Sequence, residues 1–292
     1  MRSKKAMQTV KIVTQSGSDL TFDIAEKHGI VILPDYVIFG ERSYRNNIDI
    51  HAEGFYDMLE AAAELPTSAH ASPAEFMDAF KTCADCAGCT DIICIMMSEK
   101  TTGTIHTARM AAGLLAEDGF APRVHVYDSK HVSYGLALAA LEAADLAAEG
   151  KSAEEILAHL DGLVDKIRVL FTMETLEYAE RGGRISSTQA DFVRKLGIKP
   201  VLTFINGSVT RQAAGIYNLR NNLKLIENIF KKEYCGSHRV IIFHAGNPEG
   251  AETLREYVLA LHSDAEVYIQ WVGPVVGIYT GRGCVGMAFV SK

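Results

Sequence analysis

The sequence predicts an α/β protein in two parts: an N-terminal open, mainly parallel sheet with flanking helices, then a C-terminal α+β part with a mixed sheet. Three observations lead there. Strand-like and helix-like segments alternate through the first half, which requires crossover connections and therefore parallel strands. In the second half Asn206-Gly207, a strong two-residue hairpin signal, separates two apolar runs and makes them antiparallel. A content of 48% hydrophobic and 22% charged residues over 292 positions is that of a globular chain with one large or two medium cores.

Taken in order, Val10–Thr14 is a short strand, and Val31–Phe39 is a longer β-branched and aromatic run broken by Pro34. Glu53–Glu64 reads as a helix with Phe55, Met58, Leu59 and Ala62 on one face. Ser72-Pro73-Ala74-Glu75 starts another, with Ser72 as N-cap, Pro73 in the first turn and Glu75 as the capping-box acid. Its body, Phe76 to Cys86, leads to the strand Asp91–Met97. Then come a helix from Thr104 to Asp118, the strand Arg123–Tyr127 and an Ala-rich helix from Val132 to Glu149. Gly150-Lys151-Ser152 ends that helix and caps the next, Ala153–Asp165. The expected domain boundary falls there, dividing the chain into 8–150 and 151–292.

Ile167–Thr172 is the first strand of the second part, and Met173–Glu180 a short helix ending in Gly182-Gly183. Ile198–Ile205 and Ser208–Ala213 form the hairpin. A helix over Asn218–Lys232 follows, then strand Arg239–His244, helix Pro248–Leu261, strand Glu266–Trp271 and a last strand Cys284–Val290.

The net charge of −7 argues against nucleic acid, whose phosphates require a basic face. Met1 to Gln8 carries Arg2, Lys4 and Lys5 with no apolar core behind them, so it does not read as a signal peptide. The longest apolar stretches, such as Val31–Pro34 and Val240–Phe243, are far too short to span a bilayer. A cytoplasmic protein with reduced thiols is the expectation. Cys83, Cys86 and Cys89 have C-x-x-C-x-x-C spacing, with Cys94 beyond, which resembles part of an iron–sulfur run. The alternative is packing: Cys83 and Cys86 close a helix and Cys94 lies in a buried strand, so the thiols point different ways and no metal is expected.

Four polar segments stand at element ends, where functional groups are presented. They are Thr67-Ser68; Ser98 to Thr104; Arg181 to Ser186, which contains Gly182-Gly183-Arg184; and Tyr279-Thr280-Gly281-Arg282-Gly283. The second is the most informative. It follows a parallel strand and precedes a helix whose N-terminal N–H groups and dipole favour an anion. Ser98, Thr102 and Thr104 add hydroxyls around Gly103, a nest suited to a carboxylate or phosphate. Plain N-capping by Thr102 or Thr104 explains the same residues. Between Glu180 and Lys224 the basic residues Arg181, Arg184, Arg194, Lys195, Lys199, Arg211, Arg220 and Lys224 outnumber the acids. An anionic ligand or partner, or a solvated face, accounts for that run.

No G-x-S-x-G elbow, P-loop, strand-following G-x-G-x-x-G or H-E-x-x-H is present. Hydroxyls with no adjacent base read as binders, not nucleophiles.

In this order, the segments resemble the DegV family of bacterial fatty-acid-binding proteins, over nearly the whole chain from Ser16-Gly17-Ser18-Asp19-Leu20 to Gly286. The clearest pieces are Pro66-Thr67-Ser68 leading to Ser72-Pro73, and Ser98 with Thr102-Gly103-Thr104. Val126-Tyr127-Asp128-Ser129, Thr175-Leu176-Glu177-Tyr178 with Gly182-Gly183-Arg184-Ile185-Ser186, and Ile198-Lys199-Pro200-Val201-Leu202 complete the set.

The resemblance implies a two-domain protein with a long-chain fatty acid sandwiched between the domains. Thr67 or Ser68, together with Thr102, would hold the carboxylate. It further implies a lipid-presenting subunit that is not itself an enzyme, with no cofactor beyond its lipid and no metal. An ATP-dependent fatty acid kinase catalytic subunit would phosphorylate the carboxylate for phospholipid synthesis, with Arg184 near the head group. Transient membrane contact is compatible with such a role.

Three positions depart from the family pattern: Thr102 stands for a Ser, Gln15 for an Asp, and Tyr279 for a His. Tyrosine donates a hydrogen bond but carries no imidazolium charge. A stand-alone enzyme on acyl or small anionic substrates, and a regulatory module without lipid, are the alternative functions.

Overall fold

The computed structural model describes residues 10–186, 199–213, 219–236 and 239–292. In chain order the first half contains β1 (Val10–Gln15), α1 (Phe22–His28), β2 (Ile30–Leu33), β3 (Tyr36–Phe39) and β4 (Arg42–Arg45). Next come α2 (Ala52–Ala61), β5 (Thr67–Ala69), α3 (Pro73–Ala84), β6 (Asp91–Met96), α4 (Thr104–Glu117), β7 (Arg123–Asp128) and α5 (Tyr134–Ala148). The second half contains α6 (Ala153–Leu163), β8 (Ile167–Thr172), α7 (Glu177–Arg181), β9 (Val201–Ile205), β10 (Ser208–Ala213) and α8 (Leu219–Glu233). It closes with β11 (Arg239–His244), α9 (Pro248–Leu261), β12 (Glu266–Trp271), α10 (Pro274–Thr280) and β13 (Val285–Val290).

The expected parallel sheet forms in the order β2-β1-β6-β7. β6 is buried at every position, as a continuous apolar strand covered on both faces should be. One face packs on α3 and α4 through Phe76, Phe80, Ile92, Cys94, Ile105 and Leu115. The capping box at Ser72 is present: its Oγ accepts from Glu75 N, and the Glu75 carboxylate accepts from Ser72 N.

The second sheet is mixed, in the order β10-β9-β8-β13-β11-β12, with β11 and β12 parallel and the other pairs antiparallel. Its hairpin turns on Asn206 (φ 48°) and Gly207 (φ 81°), the two left-handed residues that a type I′ turn demands. A second core under this sheet gathers Leu170, Ile226, Phe230, Val240, Leu254 and Phe289.

Between the sheets lies α5. Eleven of its residues, from Tyr134 to Ala147, are buried. It packs against β1 of the first sheet and against β8 and β13 of the second. This suits an Ala- and Leu-rich helix whose only charged side chains, Glu142 and Asp145, pair with Arg239, His28 and His159. One apolar core therefore runs through both halves, from Val10 and Ile12 to Val169, Phe171 and Phe243.

Several local expectations change. A small antiparallel sheet, β4-β3-β5, and the helices α1 and α10 are additions. α5 starts at Tyr134 and not at Val132, because Ser133 adopts φ 54°, which no helix accommodates. α7 starts later than Met173 and runs to Arg181; Thr175 Oγ1 accepts from Glu177 N, 3.1 Å, at its start. α2 ends at Ala61, short of Glu64. Met1 to Gln8, Arg194, Lys195, the start of the hairpin strand at Ile198 and the helix start at Asn218 lie outside the described residues.

Cys83 and Cys94 are buried in the core beneath the first sheet, whereas Cys86 is exposed beyond α3. Among the described residues no cluster of His, Cys, Asp or Glu is placed to hold a metal. None of the described helices is long and apolar enough to cross a membrane.

Candidate functional site

A cavity of about 380 Å³ lies between the two halves, within the range of small-molecule sites. Much of its wall is apolar. Val169 and Phe171 of β8, Phe204 and Val209 of the hairpin, Phe243 of β11 and Val275 and Val276 of α10 supply it. Phe171 and Phe204 stack at 6.0 Å between ring centroids.

Hydroxyls collect against this apolar wall. Thr101, Thr102, Gly103 and Thr104 line it at the start of α4. Gly103 is the N-cap, and Thr102 Oγ1 accepts from Thr104 N at 3.4 Å, a long bond to the first helical N–H, so local capping accounts for part of the placement of Thr102. Thr102 Oγ1 and Thr104 Oγ1 are 2.8 Å apart and share one hydrogen bond. Two hydroxyls sharing one proton between them still have a proton to donate outward.

Nearby, Ser68 Oγ and Tyr279 Oη are hydrogen-bonded at 2.7 Å. The Arg184 guanidinium lies 4.1 Å from the Tyr279 ring centroid and donates to Gly182 O, 2.7 Å. The Gly-Gly-Arg turn now has a reason. A Cβ on Gly182 would sit 2.5 Å from Tyr279 Cδ1, and Gly183 has φ 74°. Arg184 is exposed yet lines the cavity, so it stands at the mouth.

The structure thus brings together Ser68, Thr102, Gly103, Thr104, Arg184, Tyr279 and Thr280. Thr67 and Ser98 are not in the cavity wall. Thr67 is exposed on β5 and stays outside the cavity wall, although its neighbours Ser68 and Ala69 both line it. Ser98 is fully buried; its Oγ donates to Gly207 O, 2.8 Å, and accepts from Lys100 N, which commits it to holding the hairpin tip.

Asp35, His70 and Ser133 also line the cavity, and sequence reasoning missed them. Asp35 lies deep in the fold. Gln15 Nε2 donates to both its oxygens (3.0 and 3.2 Å), Gly17 N donates at 2.8 Å and Ser16 Oγ at 3.2 Å. Burial outweighs these donors and pushes its carboxyl up to about 6. The Gln15 departure is legible here: an aspartate at 15 would face Asp35 with a second carboxylate, where the amide supplies a donor. Asp19, whose Oδ2 accepts from Ser133 Oγ at 2.6 Å, is pushed by burial up to about 7.

Chemically, this site can hold a molecule with a long apolar body and one anionic end. Burial pushes the Cys284 thiol in its wall well up, away from thiolate chemistry. The hydroxyls of Thr102 and Ser68 pair with other hydroxyls, not with a base.

The model of the DegV family, a family described as uncharacterised proteins, matches residues 9–292. A DegV domain-containing protein of Halalkalibacterium halodurans is 30% identical over 288 residues, covering 97% of this chain and 99% of that protein. A fatty-acid-binding DegV family protein from Thermus thermophilus superposes with a TM-score of 0.87 at 28% identity, covering 97% of this chain and 100% of that one. DegV from Bacillus subtilis, a fatty acid binding protein, superposes with a TM-score of 0.84 at 27% identity, covering 97% and 99%.

Proposed function

Because this chain belongs to the DegV family, we propose that it binds a long-chain fatty acid and presents the carboxylate to an ATP-dependent kinase partner. One observation carries the binding half: a single cavity between the proposed domains 8–150 and 151–292 joins a broad apolar wall to clustered hydroxyls at a helix N-terminus. A tail of ~14 methylenes gains on the order of 11 kcal/mol by burial, at about 0.8 each. Ordering costs reduce that sum substantially. The carboxylate is satisfied by Thr102, Thr104, the first N–H groups of α4 and the Ser68–Tyr279 pair.

The presenting half rests on the family resemblance and on Arg184 at the mouth. In phosphoryl transfer a carboxylate oxygen attacks the γ-phosphorus of ATP, ADP leaves and an acyl phosphate remains. A guanidinium there offsets the charge gathering on the transferred group.

Native mass spectrometry of the purified protein tests the binding half, with one acyl chain per protein expected. A protein that carries none and takes up none from added oleate defeats it. Addition of a fatty acid kinase catalytic subunit and ATP tests the presenting half; acyl phosphate should form with this chain and not without it.

A further inference from the structure

The run Cys83, Cys86, Cys89 lies outside the acyl cavity, and the fold gives its three thiols different surroundings. Cys83 is 2% exposed and belongs to the core beneath the first sheet, with Phe80, Ile92 and Cys94. Burial, the largest influence on it, pushes its thiol up to about 12, which leaves it inert. Cys86 is exposed and Cys89 half-buried.

Cys86 and Cys89 are the two ends of one tight turn. Cys89 N donates to Cys86 O at 3.2 Å. Between them Ala87 keeps a negative φ, while Gly88 has φ 82°. That is a type II turn, with glycine at the one position that demands a positive φ. Its first and fourth Cα atoms lie within about 7 Å of each other. A disulfide spans Cα atoms about 4.4–6.8 Å apart, so the backbone already stands at that reach. Side-chain rotation is the remaining motion. It gives up only the weak bond from Cys89 Sγ to Asp91 O, 3.6 Å.

The two thiols differ in access. Burial pushes the Cys89 thiol up, and the Lys11 ammonium of β1 opposes that. Exposure makes Cys86 the first to meet an oxidant. Cys235 is exposed as well, but the next cysteine along the chain, Cys284, is buried.

We propose that Cys86 and Cys89 form a reversible redox site, a dithiol that closes to a disulfide by exchange with a small disulfide such as glutathione disulfide. The Cys86 thiolate attacks one sulfur of the glutathione disulfide, and a glutathione thiolate leaves. The Cys89 thiolate then attacks the Cys86 sulfur, and the second glutathione leaves. The two cysteines give up two protons and two electrons, and one glutathione disulfide becomes two glutathione thiols. The site goes beyond fatty-acid binding and does not depend on it: the turn precedes β6, whereas Thr101 to Thr104 in the cavity wall follow it.

The test incubates the full-length protein with excess glutathione disulfide, quenches with acid and reads the tryptic peptide Thr82–Lys100 by tandem mass spectrometry. The parent should hold a Cys86–Cys89 bond, with Cys83 and Cys94 still free to alkylate. Cys89→Ser, nearly isosteric, should stop at the glutathione adduct on Cys86, which should last about ten-fold longer than in the parent, or more. Cys83→Ala should leave the Cys86–Cys89 bond in place; should that variant not fold, the free Cys83 thiol of the parent peptide decides the same point. The proposal is overturned by a bond to Cys83, by an adduct on Cys86 that lasts as long in the parent as in Cys89→Ser, or by a peptide that stays reduced.

Discussion

Where the strands of the first sheet end, buried polar side chains gather; where the second sheet faces the same cavity, valine and phenylalanine take their place. Gln15, Ser16, Ser18, Asp19, Asp35, Ser98, Thr104, Ser129 and Ser133 are all buried in the first half. The facing wall is Val169, Phe171, Phe204, Val209 and Phe243. The strand topology explains the contrast. Parallel strands release their chain at one edge, where backbone N–H groups and helix starts need polar partners. An antiparallel sheet packed on a core offers a side-chain face. The first half is thereby suited to a head group and the facing sheet to a tail, with Arg184 and Tyr279 of the second half added at the mouth.

Asp19 gives the largest expected effect on this contrast. Its carboxyl is raised by burial to about 7, so the folded protein keeps a proton that the unfolded chain has released. The resulting stability is present below about pH 4 and is lost as pH rises through about 6 for Asp35 and about 7 for Asp19. Asp19→Asn keeps an acceptor for Ser133 and suits the residue's φ of 59°. At pH 8 it should stabilise the protein by up to about 4 kcal/mol in urea unfolding, with the gain fading as pH falls from about 7 toward about 4. An equal midpoint for parent and variant at pH 8 would show that the polar cluster carries no such cost.

The head-group assignment is next. Thr102→Val should weaken fatty-acid binding by about 1.5–3 kcal/mol in calorimetry, since it removes a donor from a buried carboxylate. Unchanged affinity removes Thr102 from the site. On the tail side, Val276→Phe should exclude about two methylenes and cost about 1.6 kcal/mol for the longest acyl chains. Shorter chains should be spared, which a competition series of acids would reveal. The smallest effect is expected from Tyr279→Phe, which keeps the ring under Arg184 and loses the hydroxyl bonded to Ser68. About 1 kcal/mol in affinity is expected, and a loss as great as that at Thr102 would make Tyr279 a principal ligand.

Legibility followed the locality of the signal. Ile167–Thr172, Arg239–His244, Pro248–Leu261 and Glu266–Trp271 occur with the bounds that periodicity and caps predict. The run Pro274-Val275-Val276-Gly277 is a poor helix by propensity, and distant partners hold it. Asn46 Oδ1 accepts from Val275 N, and Phe55 and Tyr56 press so closely on Gly277 that a Cβ there would lie 2.7 Å from Phe55 Cε1. Thr102 and Arg184 could be picked out because a strand end and a Gly-Gly turn mark them. Asp35 carries only the mark of a residue after a proline, and its role depends on Gln15 at the end of β1 and on Ser16 and Gly17 in the turn after it. Ser98 misled for the opposite reason: its neighbours resemble a ligand nest, while its actual partner is Gly207, 109 positions away.

The burial of α5 against both sheets bears on how cargo is exchanged. Swinging the halves apart like jaws would wet a helix that is apolar but for Glu142 and Asp145, at a cost that grows with every alanine and leucine laid bare. Traffic should instead thread through the rim by small rearrangements near Arg184, leaving the central rod dry throughout. Amide hydrogen exchange during lipid turnover would distinguish the routes: protected α5 amides fit threading, and deprotected ones require the jaws to open.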